Sequence, residues 1–210
     1  QVFDAGSDVV LNGMPMQLQG FVSPEPVSRL VPALQRSLGE PLMVNRLGDK
    51  VVLGRAEGGR YLTIQVEPTG SGSRGAMAMT DLQRVQGARV EAESERREWG
   101  ERLPSGSAVH SFMKSQDGLQ QSRQLVYSNR HGEMFNRDRL QALLERQGLK
   151  LEQERVLDGD TDAMHGTTPL SGRVLFFRGA GRNGIATINR EQDDRIFVVL
   201  NLVSVLGNDP

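Results

Sequence analysis

The sequence predicts an α+β fold built from tandem duplicated two-layer modules, each an antiparallel sheet with one main helix, joined by a charged helical linker. Three observations predict it. Alternating, β-branched segments are punctuated by Gly- and Asn-bearing turns. Two apolar stripes recur at helical spacing, one in each half. Motifs of the first half also return in the second, at an offset of about 109 positions.

The elements follow in order. Residues 8–22 read as two strands around Asn12-Gly13, the dipeptide that suits a tight hairpin. A helix follows, with Ser23 as N-cap, Pro24 at the first helical position and Val22 with Val27 as a hydrophobic staple. Val27, Leu30, Val31, Leu34 and Leu38 form its apolar stripe, Gly39 its stop, and Pro32 predicts a kink or a later start near Ser28. Strands are expected over 42–46, 50–55, 60–67 and 76–80, with a Gly-rich loop over 70–75. The second half repeats this order: strands over 108–113 and 121–128, then a helix over 137–147. That helix has Asn136 as N-cap, Phe135 and Leu140 as staple and Gly148 as stop. Strands follow over 149–155, 173–178, 184–189 and 195–205, the last apolar enough to be central.

Residue matches support the duplication. SRLVPALQR (28–36) lies over DRLQALLER (138–146), GSGSRGAMAM (70–79) over GAGRNGIATI (179–188), and Arg46 and Asp49 over Arg155 and Asp158. The opening hairpins are offset by about 105 positions, so residues 130–134 read as an insertion. The segment 81–102 is strongly charged. Arg89/Glu93, Glu93/Arg97 and Glu98/Arg102 are spaced for i,i+4 pairs, which predicts a solvated linker helix. The expected domains are therefore 1–80, the linker 81–102, and 103–210.

Composition excludes several function classes. The chain has 210 residues, a formal net charge of −1 and no Cys. Disulfides, thiolate nucleophiles, Cys-ligated zinc and Fe–S clusters are out. No run approaches the ~18 apolar residues of a membrane-spanning helix. Charge neutrality speaks against a protein that grips phosphate backbones, so no nucleic-acid partner is expected. The chain opens with Gln1 rather than Met, which predicts a processed, exported bacterial domain.

Little catalytic chemistry is legible. G-x-G-x-x-G occurs at Gly70/Gly72/Gly75 and Gly179/Gly181/Gly184, but strand-like residues follow each time, where a dinucleotide site needs a helix start. Asp158, Asp160 and Asp162 alternate, with His165 nearby, and can surround a hard cation. The EF-hand pattern fails, because Ala163 stands where its turn glycine belongs and Pro169 where its bidentate Glu belongs. His110, His131 and His165 lack zinc-helix spacing. The three aspartates are thus the metal candidates, and no cofactor is expected.

The functional expectation is a non-enzymatic, periplasmic or otherwise extracytoplasmic module of a bacterial envelope assembly, such as a secretion or pilus apparatus. Its partners are other proteins of that assembly, with self-association compatible. An edge strand, 14–22 or its counterpart 121–128, would carry the contact by backbone pairing. The alternative is a ligand- or calcium-binding protein, or a hydrolase, with Asp158, Asp160, Asp162 and His165 at a site between the modules.

Overall fold

The computed structural model describes residues 1–157, 172–191 and 193–205. The chain divides into two compact units, Gln1–Val90 and Glu91–Pro210. The first contains β1 (Val2–Leu11), β2 (Met14–Ser23), α1 (Val27–Leu38), β3 (Met43–Leu47), β4 (Lys50–Glu57), β5 (Arg60–Thr69) and β6 (Gly72–Asp81). Helix α2 (Val85–Arg102) crosses the division. The second unit continues with β7 (Ala108–Asp117), β8 (Gln120–Asn129), α3 (Glu133–Glu145), β9 (Lys150–Leu157), β10 (Gly172–Gly179), β11 (Arg182–Arg190) and β12 (Ile196–Val205).

Strand dominates. Of the described residues 57% are strand and 23% helix, in three helices. The chain is a mostly-β protein of antiparallel sheet, and this corrects the expected α+β fold of tandem two-layer modules with a main helix each. The physical reason lies in the turns. Two-residue connections at Asn12-Gly13, Gly48-Asp49, Gly58-Gly59, Gly70-Ser71, Gly118-Leu119 and Ala180-Gly181 let the strands run right up to each reversal. Most strands reach eight to ten residues. Both residues of Asn12-Gly13 have positive φ, 50° and 78°, the geometry that matches strand twist. The expected Gly-rich loop over 70–75 shrinks accordingly: Gly72 onward is already β6.

The strand order in the first unit is β3-β4-β5-β6-β2-β1, and in the second β9-β10-β11-β12-β8-β7. Each unit thus runs strand, strand, helix, then four strands, with the same order across its sheet. This common order corrects one of the sequence matches. Gly70–Gly75 joins the fifth and sixth strands of its unit, whereas Gly179–Gly184 joins the fourth and fifth of the other. Glycines recur at hairpin turns whatever their position in a sheet, so the shared spacing paired elements that are not counterparts.

Each unit buries one sheet face under helix. In the first, Val31 of α1, ringed by Val27, Leu30, Leu34 and Leu38, packs against Phe21, Val51, Leu53, Ile64 and Val66. In the second, Leu140, Leu143 and Leu144 of α3 lie on Leu125, Tyr127, Leu175, Ile188 and Val198, with Trp99 and Leu103 joining from the end of α2. Strand β12 sits between β8 and β11, in the interior of its sheet. Helix starts differ from the expected caps. α1 begins at Val27 behind Pro26, while Ser23 is the last residue of β2 and its hydroxyl accepts from the Glu25 amide. α3 begins at Glu133 behind Gly132, and Asn136 lies one turn inside, fully buried. Of the expected linker pairs Glu98 and Arg102 meet, whereas Glu91 and Glu95 turn to Lys114 on β7.

Candidate functional site

The expected metal ligands Asp158, Asp160 and Asp162, and His165 with them, lie outside the described residues. Among the described residues no cluster of three or more His, Asp or Glu could hold a metal ion. The two G-x-G-x-x-G runs sit at antiparallel reversals and lead into β6 and β11, so neither opens a helix. No helix among the described residues is long and apolar enough to cross a membrane.

The expected docking strands are corrected. β2 pairs with β1 on one side and β6 on the other; β8 pairs with β7 and β12. Both strands have spent their backbone groups and cannot accept an added strand. Sequence cannot show this, because an interior strand and an edge strand with a polar half read alike.

Polar groups in the second unit gather at three places. Glu154 of β9 accepts from Arg137 at 2.9 and 3.1 Å and from Arg173 at 2.6 Å. Arg173 Nε also lies 2.6 Å from Glu133, a charge contact rather than a well-directed bond, since that buried nitrogen otherwise lacks a partner. These groups clamp the first turns of α3 to β9 and β10. The two guanidinium groups, that of Arg173 foremost, hold the Glu154 carboxyl below the usual carboxylate range. Because the folded value is depressed, the clamp stabilises fully above about pH 4.5 and is lost as pH falls through the lowered value. Glu154→Gln is expected to cost about 1.5 kcal/mol at neutral pH, after allowing for partial exposure. It should also flatten the acid limb of the stability–pH curve. Equal slopes for both proteins in acid denaturation would count against the clamp.

Asn129 and Asn136 form a reciprocal amide pair, 2.8 and 2.9 Å, both side chains being buried. Asn129 further accepts from the His131 amide and donates to Ser107 Oγ, each at 3.0 Å. His110 Nε2 lies 2.7 Å from Ser128 Oγ, and its ring stacks on Phe197 at 5.2 Å. Ser128 is buried, so its hydroxyl serves this pairing and is not presented to a substrate. Burial likewise raises the ionisation of the Tyr127 hydroxyl well above its ordinary range.

Among the described residues two open surfaces stand out. The first is β3, the terminal strand beside β4. All five of its residues are exposed, with Met43 at 61%, Val44 at 41% and Leu47 at 66%. The turn at Gly48-Asp49, with φ of 60° at Gly48, makes Leu47 and Lys50 the pair that closes the hairpin. Hydrogen-bonded pairs alternate from there, so Met43, Asn45 and Leu47 face β4 through their backbone, while Val44 and Arg46 aim their N–H and C=O outward. Met43 is steadied from behind: Tyr61 lies across Gly54, where a Cβ would sit 2.3 Å from the hydroxyl, and that hydroxyl reaches Met43 Sδ at 3.8 Å. Strand β9, at one end of the order in the second unit, is unlike this, carrying Lys150, Glu152, Glu154 and Arg155, the charges that discourage strand addition.

The second surface is a cleft of about 700 Å³ in the second unit, between the end of α2 and α3. Phe135, Arg139 and Leu143 of α3 and Arg146, the residue that caps it, line one side, and Arg102, Leu103 and Pro104 the other. These α3 and cap residues fall on one stripe because they are four, four and three positions apart. In sequence Phe135 reads as half of a staple and Arg146 as a repeat match, and only a helical wheel brings the four positions onto one stripe. Arg139 stands over the Phe135 ring at 5.2 Å, and His131 packs against that ring at 4.6 Å. Arg146 Nε donates to the Ala142 carbonyl at 3.1 Å, and the residue is exposed.

No protein-family model matches the chain, and no curated protein or solved structure matches it either.

Proposed function

We propose that this chain is a non-enzymatic docking module of an extracytoplasmic bacterial assembly, of the secretion or pilus kind, and that it takes an extended segment of a partner protein onto β3. The observation that supports this reading is the β3 edge: outward backbone groups at Val44 and Arg46, flanked by exposed Met43, Val44 and Leu47 and by only one charge. A strand added there gains main-chain hydrogen bonds for affinity and apolar contacts at alternate positions for selectivity. The interior pairing of β2 and β8 on both sides supports β3 over either of them as the docking strand.

Proline at Val44 removes an outward donor without touching the β3–β4 ladder, and proline is tolerated at such edge positions. Val44→Pro is therefore expected to leave the circular dichroism spectrum intact and to abolish capture of the partner from the native host's envelope fraction. Met43→Lys with Leu47→Lys should weaken capture about tenfold by charging the edge. Unchanged capture by both variants would rule β3 out as the docking strand. The compartment has its own test: the native protein should fractionate with periplasmic markers, and recovery with cytosolic enzymes would overturn that part.

A further inference from the structure

We infer that the α2–α3 cleft of the second unit is a separate binding site for an acidic peptide segment, one with two carboxylates three residues apart. Charge complementarity selects this occupant. The charged lining consists of Arg102, Arg139 and Arg146 against Glu101 alone. Arg102 is already engaged by Glu98. Arg139 and Arg146 have no carboxylate partner among the described residues, and both are exposed. The ring of Phe135 beneath Arg139, and the Ala142 carbonyl bound by Arg146 Nε, steady each guanidinium, and the bond at Arg146 uses its Nε alone. A planar fork held this way suits a carboxylate, which accepts two parallel bonds.

Spacing argues for a peptide over a lone anion. Arg139 and Arg146 are two helical turns apart, roughly 10 Å along α3. Leu143 lies between them, with Leu103 and Pro104 opposite. A single phosphate would satisfy one arginine and leave the other without a partner. In an extended polyproline-type chain, side chains three residues apart share one side and are separated by about 9 Å. Two acidic residues three positions apart therefore match the two arginines, while the residues between them point away from the cleft. A nucleic-acid strand would bring its repeated phosphates against Glu98 and Glu101 at the rim.

The probe is a fluorescein-labelled tetrapeptide, Glu-Leu-Leu-Glu with a blocked C-terminus, followed by anisotropy against the full chain. Saturable binding is expected, weakened about tenfold or more by Arg139→Gln with Arg146→Gln, both exposed positions whose exchange leaves Trp99 fluorescence unchanged. Lys-Leu-Leu-Lys should not bind, and Glu-Leu-Leu-Gln, which keeps one carboxylate, should bind more weakly because one arginine is left unpaired. The proposal falls if the double variant binds as the native chain does, if the one- and two-carboxylate peptides bind equally, or if no saturation is reached at millimolar peptide. It falls also if inorganic phosphate or a single-stranded DNA oligonucleotide displaces the peptide at equal concentration, which would mark a plain anion site or a nucleic-acid site. Val44→Pro should leave peptide binding untouched, so failure at β3 and failure at the cleft are read separately.

Discussion

Replacing Leu144 with alanine is expected to destabilise the second unit by about 3.5 kcal/mol. Leu144 is completely buried on the face that α3 turns to the sheet, among Leu140, Leu143 and the strand residues beneath. Removing three carbons there forfeits their transfer energy and leaves a cavity that two rigid layers cannot close, since a helix on a sheet collapses little. The lone tryptophan makes the measurement simple. Trp99 is buried in this same cluster, so its fluorescence during urea denaturation follows this unit. Leu119→Ala, at a turn position that is 69% exposed, should stay within about 0.5 kcal/mol and serves as the control. A loss below 1 kcal/mol for Leu144→Ala would mean that α3 does not close the core as the structure places it.

Asn129→Leu is expected to cost about 3 kcal/mol, although leucine fills nearly the same volume. The substitution strips Asn136 of both bonds of the amide pair, leaving that buried side chain the Gly132 carbonyl at 3.1 Å, and removes the acceptor of the His131 amide. The cost is the desolvation of orphaned groups rather than lost packing. Replacing Asn136 with leucine as well should restore about half the stability, since a pair made apolar on both sides leaves fewer polar atoms stranded. Additive losses in that double-mutant cycle would show that the two amides do not act as a pair.

These two predictions also separate what local pattern reveals from what it hides. Leu140, Leu143 and Leu144 were legible as a core face because apolar residues at helical spacing must find a partner surface. Asn136 was equally visible and was misread as a cap, because an asparagine ahead of a helical stripe looks the same whether it binds the next turn or a strand seven residues upstream. The candidate site divides in the same way. The strand that became β3 was expected, but its place at the sheet margin depends on which strands pair. Arg139 and Phe135 were in view on α3, yet a cleft exists only because the end of α2 stands opposite them.

Local chemistry, then, settled where the backbone turns, which segments extend or coil, and which side chains seek cover, because those preferences act over a few residues. The sequence also settled the absence of thiol chemistry, through its lack of cysteine. The balance of strand over helix, the true correspondence between the units, the interior burial of β2 and β8 and the exposure of β3 were decided by tertiary structure alone. Each depends on hydrogen bonds between strands far apart in the chain. The periodic alternation of a strand fixes which face it buries but carries no record of the neighbour it will choose.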